Sequence, residues 1–168
     1  MGIALALMIV CSKISFLVGA IPITLQTFAV FICSLILGWK ASIVFIVYTA
    51  LGLIGLPIFS SGGGFAYIYA PSFGFIISFI PASLIIGIAS KSDKKYLKYI
   101  TSLCGLVLIN VIGVTYMYFI YNYYMETAKS LITIIQIGVL PFILKDIVVV
   151  AVSCIIYSRI KIVLDKNE

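Results

Sequence analysis

Lys145 and Asp146 stand side by side inside an apolar run, from about Leu131 to Ser158, that is long enough to cross a membrane. An ionisable side chain near mid-bilayer costs about 2.5–3.5 kcal/mol on insertion scales. A helix that keeps two such groups has a use for them. One turn earlier, Pro141 removes a backbone donor and crowds the carbonyl four residues before it, which predicts a kink next to the charges. A kinked, charged helix in an apolar protein lines a cavity instead of facing lipid. Asp146 and Lys145 are therefore expected to face a buried polar ligand. The alternative is a structural polar pair tied to neighbouring helices.

The rest of the chain has the same solvent in view. It is 64% hydrophobic and 10% charged over 168 residues, far from the balance of a soluble domain. Each crossing takes roughly 20 apolar residues, which predicts an all-α integral membrane protein of six helices, a single domain over residues 1–168. A membrane barrel does not fit, because the apolar runs are continuous instead of alternating. The net charge of +6 fits cytoplasmic loops beside anionic lipid and not a nucleic-acid partner. Cys11, Cys33, Cys104 and Cys154 all lie in apolar runs without zinc or redox spacing, and there is no histidine. No metal or cofactor is expected. No cleavable signal peptide is evident.

Taken in order, the first helix is expected from Met1 to about Val18, with little flank before it, leaving a longer native start open. Gly2 and Ala6 form a small-xxx-small pair, suited either to a partner helix or to internal packing. Lys13 either snorkels to the interface or points into the cavity. An external turn, Gly19 to Thr24, leads into helices over about Leu25–Leu37 and Ala41–Leu56. Gln26 and Thr27 are placed to point into an outward cavity, and Trp39 and Lys40 suit the headgroup layer. The stretch from Leu56 to Ser72 is the longest without helical character. Its Gly62-Gly63-Gly64 permits close approach to a ligand. It reads either as a lid or as a loop with interfacial aromatics, and lacks the lysine of a P-loop. Helices over about Phe73–Ser90 and Tyr99–Tyr121 follow, with Asn110, Thr115 and Tyr116 as polar members of the second. The last helix is expected as one piece, Leu131 to Ser158.

With both termini inside, eight cations fall on the cytoplasmic side (Lys40, Lys91, Lys94, Lys95, Lys98, Arg159, Lys161, Lys166) and only Lys129 outside. That bias supports an even number of crossings in the cell membrane. It also gathers the Pro22 turn, the glycine loop and the Asn122 connection on the external face.

Five segments, in order, carry a family resemblance: Pro22 to Phe28, Leu51 to Phe59, Gly62-Gly63-Gly64, Pro71 to Phe75, and Pro141 to Asp146. Together they resemble the BioY family, biotin-binding S components of energy-coupling-factor transporters. The resemblance implies one biotin held near the external face under loops after the first and third helices. It also implies docking of Gly2 and Ala6 on a membrane T component, with two cytosolic ATPases supplying energy. Asp146 is expected to accept the ureido N–H donors, Lys145 or Lys13 to meet the carboxylate, and Tyr67, Phe73 and Tyr116 to wall the rings. Gly63, Ser72 and Gln26 complete the expected site. Two positions depart from the family: Ala70 stands where a polar residue is common, and Val149 where a lysine is. Competing readings are an S component for riboflavin or thiamine, and a helical scaffold. An enzyme lacks its residues here, since Asp146 is the only acid in the apolar core.

Overall fold

The structure, a computed structural model, describes residues 1–18, 21–92, 94, 96–125 and 127–164. The expected turn residues Gly19 and Ala20, the loop residues Asp93 and Lys95, and the tail from Asp165, with Lys166, lie outside the described residues. The described chain is mostly helical: α1 (Gly2–Lys13), α2 (Gln26–Leu37), α3 (Ala41–Ile54), α4 (Phe73–Gly87), α5 (Leu97–Phe119), α6 (Leu131–Gly138) and α7 (Leu140–Leu164). Four apolar stretches have the length and hydropathy to cross a membrane: Gln26–Ile54, Phe73–Ser90, Leu97–Tyr124 and Leu140–Ile162.

The all-α expectation needs a correction at the first helix. α1 stops at Lys13, and Ser15–Val18 (β1) pairs antiparallel with Ile21–Thr24 (β2). Ser15 faces Thr24, Leu17 faces Pro22, and Leu25 N–H closes the base on Ile14 O at 3.2 Å. A short apolar run fits a helix and a strand equally well by pattern. Here Val18, Ile21, Ile23 and Thr24 favour extended backbone, and Pro22 cannot continue a helix interior. α1, with twelve residues, is about 18 Å long, shorter than a bilayer core.

The Gln26–Ile54 stretch is two helices, not one rod. Gln26 Nε2 donates to Tyr48 Oη at 2.9 Å, whereas 22 positions of straight helix would separate them by about 33 Å. The chain reverses at Gly38, whose φ of +61° opens a 3-10 turn through Lys40. Trp39 and Lys40 are exposed at that reversal, as headgroup contacts require.

The last helix is also in two pieces. Helix α6 ends at Gly138, and Pro141 falls in the first turn of α7, where a missing N–H has no partner to lose. Phe142 and Ile143 N–H both donate to Val139 O, at 2.9 and 3.0 Å. Elsewhere close helix contact depends on absent side chains. A Cβ on Gly74 would sit 2.3 Å from Tyr116 Cβ, and one on Gly113 2.3 Å from Phe75. Helices α4 and α5 are thereby drawn together, as small residues allow in lipid.

On α7 the two faces differ sharply. Leu144 is 77% exposed and Val148 59%, while Asp146 is 6% exposed. The acid is turned into the protein.

Candidate functional site

Two stretches far apart in sequence meet at Asp146: the junction of β2 with the first turn of α2, and the second turn of α7. Thr27 Oγ1 donates to Asp146 Oδ1 at 2.9 Å. Lys145 Nζ lies 2.8 Å from the same oxygen. It also donates to Thr24 O at 2.9 Å and to Thr27 Oγ1 at 3.1 Å. The ion pair is thus tied to α2, and Asp146 and Lys145 also line a cavity.

That cavity encloses about 590 Å³ of non-atom space, part of it open to solvent. Gln26, Thr27, Lys145 and Asp146 form one side; Ser60, Tyr67 and Ser72 come from the glycine loop and the start of α4. Phe75, Phe79 and Ile109 supply apolar wall, and Asn110 adds an amide from α5.

A buried polar chain holds this wall in place. Thr24 Oγ1 donates to Gln26 Oε1 at 3.0 Å, and Gln26 Nε2 to Tyr48 Oη. Tyr48 in turn donates to Ile58 O at 3.0 Å, which also accepts from Ser12 at 2.6 Å. Buried polar groups satisfied in this way rigidify their surroundings. The hub, Tyr48, is fully buried.

Five of the expected site residues line the cavity: Gln26, Tyr67, Ser72, Lys145 and Asp146. Four stand behind it. Lys13 neither reaches the cavity lining nor runs free to the interface; its Nζ donates to Phe59 O at 2.7 Å and pins the root of the glycine loop. Phe73 packs edge-on against Tyr67 and Tyr116, with centroids 6.3 and 5.9 Å apart. The Tyr116 hydroxyl donates to Ile68 O. Gly63 is a packing position: a Cβ there would lie 2.0 Å from Leu56 O. Thr27, expected to point into an outward cavity, lines it. The expected set omitted Thr24, Ser60 and Asn110. Asn110 carried a readable signal, a polar side chain in an apolar helix. Thr24 meets Lys145 through its backbone carbonyl, which leaves no trace in side-chain pattern.

Residues 1–166 match the BioY family across its description. The chain belongs to the BioY family. A probable biotin transporter BioY of Pyrococcus horikoshii is 37% identical over 158 residues, covering 93% of this chain and 90% of that one. The biotin transporter BioY of Thermotoga maritima is 32% identical over 163 residues, with 95% and 92% coverage. Among solved structures, the S-component for biotin from an ECF-type ABC transporter superposes with a TM-score of 0.79 at 26% identity, covering 95% of this chain and 87% of that one. As a BioY protein the chain is a membrane transport component, and its apolar helices meet that setting. In this BioY chain Val149 is buried with the core. The cation beside the acid comes instead from the adjacent position, Lys145.

Proposed function

We propose that the chain captures biotin in the cavity beside Asp146 and serves as the S component of an energy-coupling-factor transporter. The observation that carries this reading is the Thr27–Asp146–Lys145 constellation lining a partly open cavity, in a chain similar along its length to biotin transporters. Biotin brings a ureido ring with two N–H donors, an apolar bicycle and an anionic tail. A carboxylate acceptor, apolar walls and hydroxyl donors are the matching chemistry.

Six crossings with both termini cytoplasmic account best for the charge bias. α1 and its hairpin make the first, α2 and α3 the second and third, and α7 the last. The glycine loop and the β1–β2 hairpin then share the external side. Energy comes from a separate membrane T component and two cytosolic ATPases. Gly2 and Ala6 offer that partner a surface: both are exposed on α1 with Ile3 and Val10, while Ala4 and Met8 face inward.

Two measurements test the proposal. The detergent-solubilised protein is titrated with biotin, riboflavin and thiamine while its melting temperature is followed. A ligand that binds only the folded state raises that temperature. Biotin alone is expected to do so; a shift with another vitamin and none with biotin overturns the assignment. Mass spectrometry of small molecules released from the purified protein is expected to find biotin.

A further inference from the structure

Hydrogen-bonding capacity around the ion pair is largely spent. An ammonium has three donors, and Lys145 uses them on Thr24 O, Thr27 Oγ1 and Asp146 Oδ1. The single hydroxyl proton of Thr27 goes to Asp146 Oδ1. One acceptor remains: Asp146 Oδ2 has no hydrogen-bond partner among the described residues.

Asn110 leaves a second. Its Nδ2 donates to Leu106 O at 2.9 Å, one turn back on α5, which orients the amide. Its Oδ1 has no partner among the described residues. Neither Oδ1 of Asn110 nor Oδ2 of Asp146 is fully sealed; among the described residues only Ser153 Oγ is both sealed and unpaired. Both residues line the cavity, Asn110 from α5 and Asp146 from α7. The loop side has the opposite chemistry. Ser60 and Tyr67 share one bond at 3.2 Å, which leaves one hydroxyl proton to spare, and Ser72 Oγ has no partner among the described residues.

We infer that Asn110 is a specificity-determining contact: its Oδ1 accepts one ureido N–H of the ligand while Asp146 Oδ2 accepts the other. The carboxylate of the ligand then lies toward Ser60, Tyr67 and Ser72, and Lys145 is a positioning residue that holds Asp146. This rests on the assignment of biotin as the ligand. It assigns the two ureido donors separately, to residues on two helices.

The test compares biotin with its two singly N-methylated ureido analogues, by calorimetric titration of the wild type and Asn110→Ala. Loss of a bond that leaves a ligand donor unpaired weakens biotin binding about tenfold or more. One analogue, methylated at the nitrogen that faces Asn110, is expected to bind Asn110→Ala at least as well as wild type, because the smaller side chain makes room. The other analogue loses the same factor as biotin. Unchanged biotin affinity in Asn110→Ala overturns the inference, as does an equal loss for all three ligands. Asn110→Leu, which also removes the amide but keeps an apolar side chain, is expected to weaken biotin likewise; undiminished affinity there overturns it as well. Failure of the wild type to bind biotin refutes the ligand assignment instead, so the two outcomes separate.

Discussion

Nζ of Lys145 meets Oδ1 of Asp146 at 2.8 Å although the two residues are neighbours on one helix. Adjacent helical positions point about 100° apart. Only a long, flexible cation folds back across that angle. The contact makes the lysine the partner of the acid, and α2 supplies the third member through Thr27. Charge is tolerated at this depth because it is paired and hydrogen-bonded together.

Asp146→Ala is expected to abolish measurable biotin binding and to lower the melting temperature. Removing one member of a fully buried ion pair costs about 3–5 kcal/mol; the part-buried Lys145 keeps Thr24 O and Thr27 Oγ1 as acceptors, so the loss here is expected below that range. The double variant Lys145→Ala with Asp146→Ala is expected to regain melting temperature without regaining binding. Calorimetry beside thermal unfolding separates the two effects. Wild-type affinity in Asp146→Ala would remove the acid from the site.

Lys145→Met discriminates positioning from direct contact. Its three donors are already engaged within the protein. Biotin and the uncharged biotin amide are therefore expected to lose affinity by the same factor. A lysine that touched the ligand carboxylate would penalise biotin far more than the amide, and titration with both ligands decides.

Gly63→Ala is expected to lower both melting temperature and biotin affinity, the latter by about tenfold or more. A methyl group there would stand 2.0 Å from the Leu56 carbonyl, a backbone atom that moves only with the loop. Ser60 and Tyr67 would shift with it. Gly2→Ala is the control, since a Cβ at Gly2 meets nothing within 4 Å. Equal melting curves for the two variants would show that the loop yields at no cost.

Ala6→Trp is expected to leave biotin titration unchanged and to stop uptake when the T component and ATPases are co-expressed. Ala6 is exposed on the face of α1 opposite Met8. A bulky ring there obstructs close helix approach without touching the cavity. Persisting uptake in cells would move the docking surface elsewhere.

Hydropathy alone was enough for the membrane class, because continuous apolar runs have one stable solvent. The inward acid was legible for a related reason: an ionisable group in oil must find partners, so Asp146 implied a polar interior before any partner was known. Pro141 signalled a local distortion, since its ring and missing donor act locally, but it was read as a kink in one helix, whereas α6 ends at Gly138 and Pro141 sits in the first turn of α7. The turn at Gly38 was readable from three residues.

The hairpin was not legible. Residues 14–18 satisfy a helix as well as a strand, and pairing with Ile21–Thr24 settled the matter. Lys13 is a sharper case. Interface and cavity were both open to it in sequence, yet its partner is a carbonyl 46 positions away.

Local chemistry along the chain thus set the solvent, the breaks and the need for a buried polar site. It could not allocate hydrogen bonds across segments, because Thr27 and Asp146 are 119 residues apart and meet only when α2 packs on α7. Packing left Oδ2 of Asp146 and Oδ1 of Asn110 without a partner among the described residues while consuming every donor of Lys145. The identity of a residue states what it can bond; the neighbours brought to it by the fold determine what remains for a ligand.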